Sequence, residues 1–244
     1  MSGHSKWNNI KRKKEKTDGQ RAKIFTKMGR EITVAVKEGG GDPASNSKLR
    51  DIIAKAKAAN VPSDNIDRVI KKALGSDKTD YESITYEGYG PGGVAMIVEA
   101  LTDSRNRTAA NVRHYFDKYG GNLGTTGCVS FMFEQKGVIE IDAEELDEDK
   151  VMEDALGTDA LDIVFDEGLA TVYTEPGRLG AVRDALDGMG YSFLAAEVRW
   201  VPGNYTALTP ENLERMALLL EKLEDDDDIQ NVWHNLENED ELPE

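Results

Sequence analysis

"GVIEIDAEELDEDKVMEDALGTDALDIVFDEGLATVYTE", Gly137–Glu175, changes its hydrophobic period along its length, and those changes decide the fold. "GVIEID" reads as a strand. A helical segment around Lys150–Leu156 follows, and "LDIVFDE" and "LATVYTE" return to strand character. Downstream, a helix around Leu179–Met189 and a strand "FLAAEVRWV" complete the order βαββαβ. That order is the ferredoxin-like arrangement, and it closes on itself near Pro202.

The segments flanking this unit are each incomplete. Upstream, "SITYEGYG" and "VAMIVEAL" read as strands joined through a Gly/Pro turn. A helix over about Thr108–Tyr119 follows, with Val112, Tyr115 and Phe116 on its inner side, and "CVSFMFEQ" reads as a further strand. Downstream, a helix around Pro210–Glu224 and the strand-like "IQNVWHNLE" remain. A lone helix and strand cannot bury a core. The tail therefore completes the upstream segment. The expected domains are residues 1–78, then 79–134 joined by 205–244, with 135–204 inserted. The expected class is α+β: an N-terminal three-helix bundle followed by two α/β sandwich domains, one of them ferredoxin-like and inserted into the other.

Residues 1–78 differ in charge from everything after them. They hold 19 lysines and arginines against 9 acids, a net +10, while the remainder holds 11 against 37, a net −26; together these restore the whole-chain −16. Such asymmetry marks a basic module joined to an acidic one. From Thr17 to Glu38 the pattern is helical, with Ile24, Met28, Ile32 and Ala35 on one stripe that Phe25 and Val36 widen. Lys23, Lys27, Arg30 and Lys37 gather on the opposite side as a cationic ridge. "KEGGGDP" ends this helix with Gly39 as the C′ residue. Leu49, Ile52, Ile53 and Ala56 mark a second helix. Ser63 is the expected N-cap of a third, whose stripe is Ile66, Val69, Ile70, Ala73 and Leu74. Residues before about Thr17 have little apolar content beyond Trp7 and Ile10, and read as a flexible basic arm.

Cations continuing from an arm onto one side of a helix, in an otherwise acidic chain, point to phosphate neutralisation. The expected nucleic-acid contacts are Lys6, Trp7, Lys11, Arg12, Lys13, Lys14, Arg21, Lys23, Lys27, Arg30 and Lys37, with Trp7 free to stack on a base. No helix-turn-helix pattern announces base readout. Two loops of the acidic part bear on the same question. "GYGPGG" (Gly88–Gly93) matches G-x-G-x-x-G, yet a strand follows it where a dinucleotide site needs a helix, and Pro91 removes a donor. It reads as a tight bend or as a rigid loop presented to a partner. In "DSRNRT", Arg105 and Arg107 either pair with neighbouring carboxylates or form, near Gly90, Gly92 and Gly93, a second anion contact. "EDDDD" (Glu224–Asp228) lacks calcium-loop spacing and reads as a solvated acidic turn.

Other chemistry finds little support. Cys128 is single, and the three histidines are scattered, so no metal site is expected. No nucleophile–base set or cofactor motif is evident, and no enzymatic activity or cofactor is expected. The apolar runs are too short to span a membrane, the N-terminus lacks a secretory apolar core, and a cytoplasmic monomer is expected.

Seven motifs occur in the order found in the YebC/PmpR family: "GHSKW" (Gly3–Trp7), "KIFTK" (Lys23–Lys27), "GGGDP" (Gly39–Pro43), "YEGYGPGG" (Tyr86–Gly93), "RNRT" (Arg105–Thr108), "GGNLG" (Gly120–Gly124) and "GVI" (Gly137–Ile139). The chain resembles that family from its start to about residue 140, and beyond that in layout and acidity. The resemblance implies three domains with a discontinuous middle one, and a nucleic-acid-binding regulator of gene expression. The conventional form of that role is a DNA-binding transcriptional regulator. The alternative, through the related mitochondrial translational activator of cytochrome oxidase subunit one, is a ribosome-associated factor that relieves stalling at proline-rich sequences. The implied partner is accordingly duplex DNA or ribosomal RNA, the latter on the ribosome.

Overall fold

Three amphipathic stripes build the N-terminal bundle. The computed structural model describes residues 18–75, 79–166 and 168–243, and the basic arm lies outside these. Helix α1 (Asp18–Gly39) turns Met28, Ile32, Ala35 and Val36 inward against Leu49 and Ala56 of α2 (Ser47–Ala58) and Ile66 of α3 (Ser63–Leu74). Asn46 fastens the α1–α2 connection. Its Oδ1 accepts from Leu49 N–H at 3.0 Å, capping α2, while Nδ2 donates to the carbonyls of Ala35 and Gly40, each at 2.8 Å. Two termini differ from expectation. The left-handed residue after α1 is Gly40, at φ +85°, and Gly39 is still helical. Pro62, not Ser63, occupies the N-cap position of α3, so no side chain caps that helix.

The described residues pack as two units, one comprising 18–133 with 202–243 and the other 134–201. Beyond the bundle, the first unit contains an antiparallel sheet of β1 (Glu82–Tyr89), β2 (Ala95–Thr102), β3 (Asn122–Leu123) and β8 (Ile229–His234), in spatial order β3-β1-β2-β8. Val94, Met96, Val98 and Ala100 alternate onto one face. They pack against Val112 and Phe116 of α4 (Arg105–Lys118) and Leu213, Met216, Leu219 and Leu223 of α7 (Pro210–Asp225). The tail thus supplies both a covering helix and the strand beside β2. The β2–β8 register shifts between Glu99 and Ala100, with Gln230 as the extra residue of a bulge.

"CVSFMFEQ" is not one strand. Ser130–Met132 is a 3-10 turn, and β4 (Phe133–Asp142) runs continuously into "GVIEID"; the edge strand is the two-residue β3. Glu87 explains the turn. Its buried carboxylate accepts the N–H groups of Gly127, Val129 and Ser130 at 2.8–2.9 Å, which bends residues 127–130 around it. Burial alone would raise the Glu87 pKa, but these three donors hold it below the ordinary value.

In the second unit β4 is followed by α5 (Glu148–Leu156), β5 (Ala160–Asp166), β6 (Leu169–Thr174), α6 (Leu179–Gly188) and β7 (Phe193–Pro202). Their sheet order, β5-β6-β4-β7, is that of a ferredoxin-like sheet. Ile139, Ile141, Val172 and Ile163 meet Val151, Val182 and Leu186 from the two helices in a separate core. On the sheet, Glu140, 2% exposed, takes a bidentate ion pair from Arg199.

Candidate nucleic-acid interface

The cationic side of α1 faces carboxylates of its own chain. Lys23 Nζ pairs with Asp225, and Lys27 Nζ donates to the carbonyl of Glu224 at 2.8 Å. Arg30 Nη1 donates to Asp228 Oδ1 at 2.6 Å and to the carbonyl of Leu101 at 2.9 Å, and its guanidinium lies 5.4 Å from the Tyr81 ring centroid. Lys37 Nζ reaches the Thr79 carbonyl at 2.6 Å and Asp80 at 3.2 Å. Burial pushes the Lys27 pKa down, opposed by Glu224, Asp227 and Asp226. The ridge from Lys23 to Arg30 and the acidic segment from Glu224 to Asp228 are therefore complementary halves of one seam.

Asp228 is the centre of that seam, and here the expectation of a solvated turn fails. Its side chain is 4% exposed. Arg107 donates to both of its oxygens, Nη2 lying 2.8 Å from Oδ2, and Thr108 Oγ1 lies 2.7 Å from the same oxygen. Leu101 N–H donates to the Asp228 carbonyl at 2.8 Å. The bulge at Gln230 displaces the start of β8 so that this residue lies beside the end of β2 and the N-terminus of α4. Burial pushes the Asp228 carboxyl up, but the hydrogen bonds from Arg30, Arg107 and Thr108 outweigh it and hold the pKa at about 2. One carboxylate thus ties α1, β2, α4 and β8 together. The signal for this in the sequence is slight: Asp228 is the last acid of the run, adjoining the buried Ile229.

The other expected contacts are dispersed. Lys6, Trp7, Lys11, Arg12, Lys13 and Lys14 lie outside the described residues, and Arg21 is in the first turn of α1. Arg105 pairs with Glu82 at 2.9 Å on the surface, and Arg107 divides its donors between Asp103 and Asp228. Gly90, Gly92 and Gly93 sit at the β1–β2 turn, where Tyr89 pairs with Ala95, whereas the arginines follow the far end, where Glu82 pairs with Thr102. An eight-residue hairpin separates the two by about 24 Å, so they do not form one contact. Gly92, at φ +65°, is pressed against Leu208 and Asn212, while a Cβ on Gly93, at φ +85°, would meet open space. Among the described residues no group of three or more His, Cys, Asp or Glu could hold a metal ion. Nor is any helix among them long and apolar enough to cross a membrane.

A basic three-helix bundle carried on an α/β unit, with a ferredoxin-like unit inserted, defines the class of protein. The chain belongs to the TACO1/YebC family: residues 5–76 match the TACO1/YebC protein N-terminal domain, and residues 81–236 the TACO1/YebC second and third domain. It is 58% identical over 238 residues to a "Probable transcriptional regulatory protein" of Acetivibrio thermocellus, covering 96% of this chain and 98% of the relative. A protein of the same description from Finegoldia magna is 54% identical over 98% of this chain and all of its own length. The crystal structure of a conserved hypothetical protein from Aquifex aeolicus superposes with a TM-score of 0.82 at 44% identity, covering 91% of this chain and 92% of that one.

Proposed function

We propose that this chain is a DNA-binding regulator of transcription that grips the phosphate backbone through its N-terminal segment and performs no catalysis. The observation that carries this is the division of charge, +10 over residues 1–78 against −26 over the rest. The relatives' designation as probable transcriptional regulatory proteins supports it. A body of that charge is repelled by a polyanion, so approach by one end is electrostatically imposed. The contacts divide by availability. Lys23, Lys27, Arg30 and Lys37 hold α1 to the end of α7, to the segment before β1 and to the β2–Asp228 corner, and reach phosphate only by giving up their carboxylates or carbonyls. Lys6, Lys11, Arg12, Lys13 and Lys14, with Trp7 as a stacking group, supply the first contacts.

The test is the salt dependence of duplex binding. If about five phosphates are neutralised, log affinity falls against log salt with a slope of roughly −4.5. Replacing Lys11, Arg12, Lys13 and Lys14 together by Ala should flatten that slope by roughly 3.6. A regulator also prefers its promoter over random duplex by about 10³ or more. Salt-independent affinity, or no duplex binding at low salt, refutes the proposal.

A further inference from the structure

Lys23, Lys27, Arg30 and Lys37 of α1 are engaged, but a second set of cations in the bundle is not. Helices α2 and α3 each pack on α1 and leave between them a groove of about 560 Å³. Arg50 and Lys57 stand on its α2 wall, seven residues and about 10.5 Å apart along the axis. Lys71 stands on the α3 wall, and Asp67 is the acid among them. Arg50, Lys57 and Lys71 are exposed and make no ion pair or side-chain hydrogen bond with another described residue. Ile53, Ile66 and Ile70 line the floor. Ser63, the first residue of α3, also lines the groove, and no side chain caps that terminus, so its N–H groups add partial positive charge.

The geometry points to this groove as the seat of a single-stranded nucleic-acid segment, one nucleoside inserted against the isoleucine floor and its flanking phosphates held by Arg50, Lys57 and Lys71. The inference rests on the nucleic-acid reading above and specifies the form of ligand at a different face of the bundle. Charge complementarity selects the polymer, since three cations without a partner among the described residues and an uncapped helix start surround one opening. The apolar floor selects the unpaired strand. In a duplex the bases are stacked inward and present only phosphate and sugar to such a rim, whereas an unpaired base can turn into the cavity. The volume lies within the ~300–1,000 Å³ of sites that hold small organic groups.

Fluorescence anisotropy on the full chain tests this with three labelled probes: oligothymidylate and oligouridylate of about twelve nucleotides, and a random duplex of similar length. The expected result is at least about tenfold tighter binding of a single strand than of the duplex. Ala54→Trp fills the groove without changing charge and should weaken single-strand binding about tenfold, with duplex affinity changed less than about twofold. Changing Arg50, Lys57 and Lys71 together to Gln should flatten the single-strand salt slope by about 2, from 0.7 per phosphate, which is roughly 20-fold less salt sensitivity between about 50 and 200 mM. These sites are exposed or half-exposed, and unchanged circular dichroism confirms folding of each variant. Two outcomes overturn the groove and leave the broader reading standing: both variants bind every probe as wild type does, or wild type binds the duplex at least as tightly as the single strands. A wild-type chain that binds none of the probes overturns both. An acidic amphipathic peptide that binds wild type and is lost in Ala54→Trp, with single-strand binding unchanged in that variant, assigns the groove to a protein partner and overturns the inference.

Discussion

Replacing Asp228 by Asn tests whether one carboxylate organises the larger unit. Asn keeps the shape but opposes Arg30 and Arg107 with a neutral group, and it can satisfy fewer of the donors that now converge on the side chain. Removing one partner of a buried pair typically costs ~3–5 kcal/mol. Arg107 is about half exposed and keeps Asp103, so the lower end, about 3 kcal/mol, is expected. The pH dependence gives an independent figure. The Asp228 pKa lies at about 2 in the fold against an ordinary 3.8. Because it is depressed, its stabilisation is complete above the unfolded value and is lost as pH falls through the folded one. The full difference is worth about 2.5 kcal/mol, of which about 1 kcal/mol disappears between pH 6 and pH 3. Urea unfolding of both proteins across that interval, with hydrogen exchange to localise the change, should show a gap of about 3 kcal/mol at pH 6 that narrows by about 1 kcal/mol at pH 3. The protection lost should fall in α1, the start of α4 and β8, and not in residues 134–201. A gap below about 1 kcal/mol, or one that does not change with pH, refutes the hub.

Two further substitutions probe the turns of the same unit. Glu87→Ala removes the acceptor of three backbone N–H groups, one of them on the fully buried Val129. A loss of about 3 kcal/mol is expected, with faster amide exchange at Gly127, Val129 and Ser130 and unchanged protection of β8. Gly92→Ala should lower stability by about 2–3 kcal/mol, because it adds to a positive φ a Cβ only 2.4 Å from Leu208 Cδ2. Gly93→Ala, equally left-handed but facing open space, should cost about 1–2 kcal/mol. Thermal melts that rank the two glycines the other way would contradict the packing described at this turn.

Local periodicity carried most of the architecture into the sequence. The stripe Ile24, Met28, Ile32 and Ala35 gives α1, and the strand and helix periods after Gly137 give the ferredoxin-like unit. Periodicity failed where a polar group redirected the chain. Val129, Phe131 and Phe133 alternate as a strand would, yet Phe131 is 78% exposed on a 3-10 turn because Glu87, some forty residues earlier, captures the adjoining amides. The cationic side of α1 was visible for the same reason as its apolar stripe, since both follow from 3.6 residues per turn. Its partners were not, because Arg30 and Asp228 are 198 positions apart and only its place beside Ile229 sets Asp228 apart from Asp225, Asp226 and Asp227.

That blind spot changes how a charged helix should be read. A row of cations opposite an apolar stripe announces an anion, but the anion need not be foreign. Here the acidic segment that ends α7 and leads into β8 answers α1 residue by residue, Lys23 at the Asp225 carboxylate, Lys27 at the Glu224 carbonyl and Arg30 at the Asp228 carboxylate. The contacts also differ in depth. Lys23 and Asp225 are half exposed, so their pair is weak and screened by salt, whereas Asp228 is buried and held by several donors. A phosphate polymer arriving at the bundle therefore competes for the outer lysine at little cost and for Arg30 only by stranding a buried carboxylate. Intramolecular pairing thus lowers the effective charge that α1 presents and shifts the burden of binding onto cations the fold does not use. The net charge of a segment then measures its capacity for a polyanion only after the pairs made inside the chain have been subtracted.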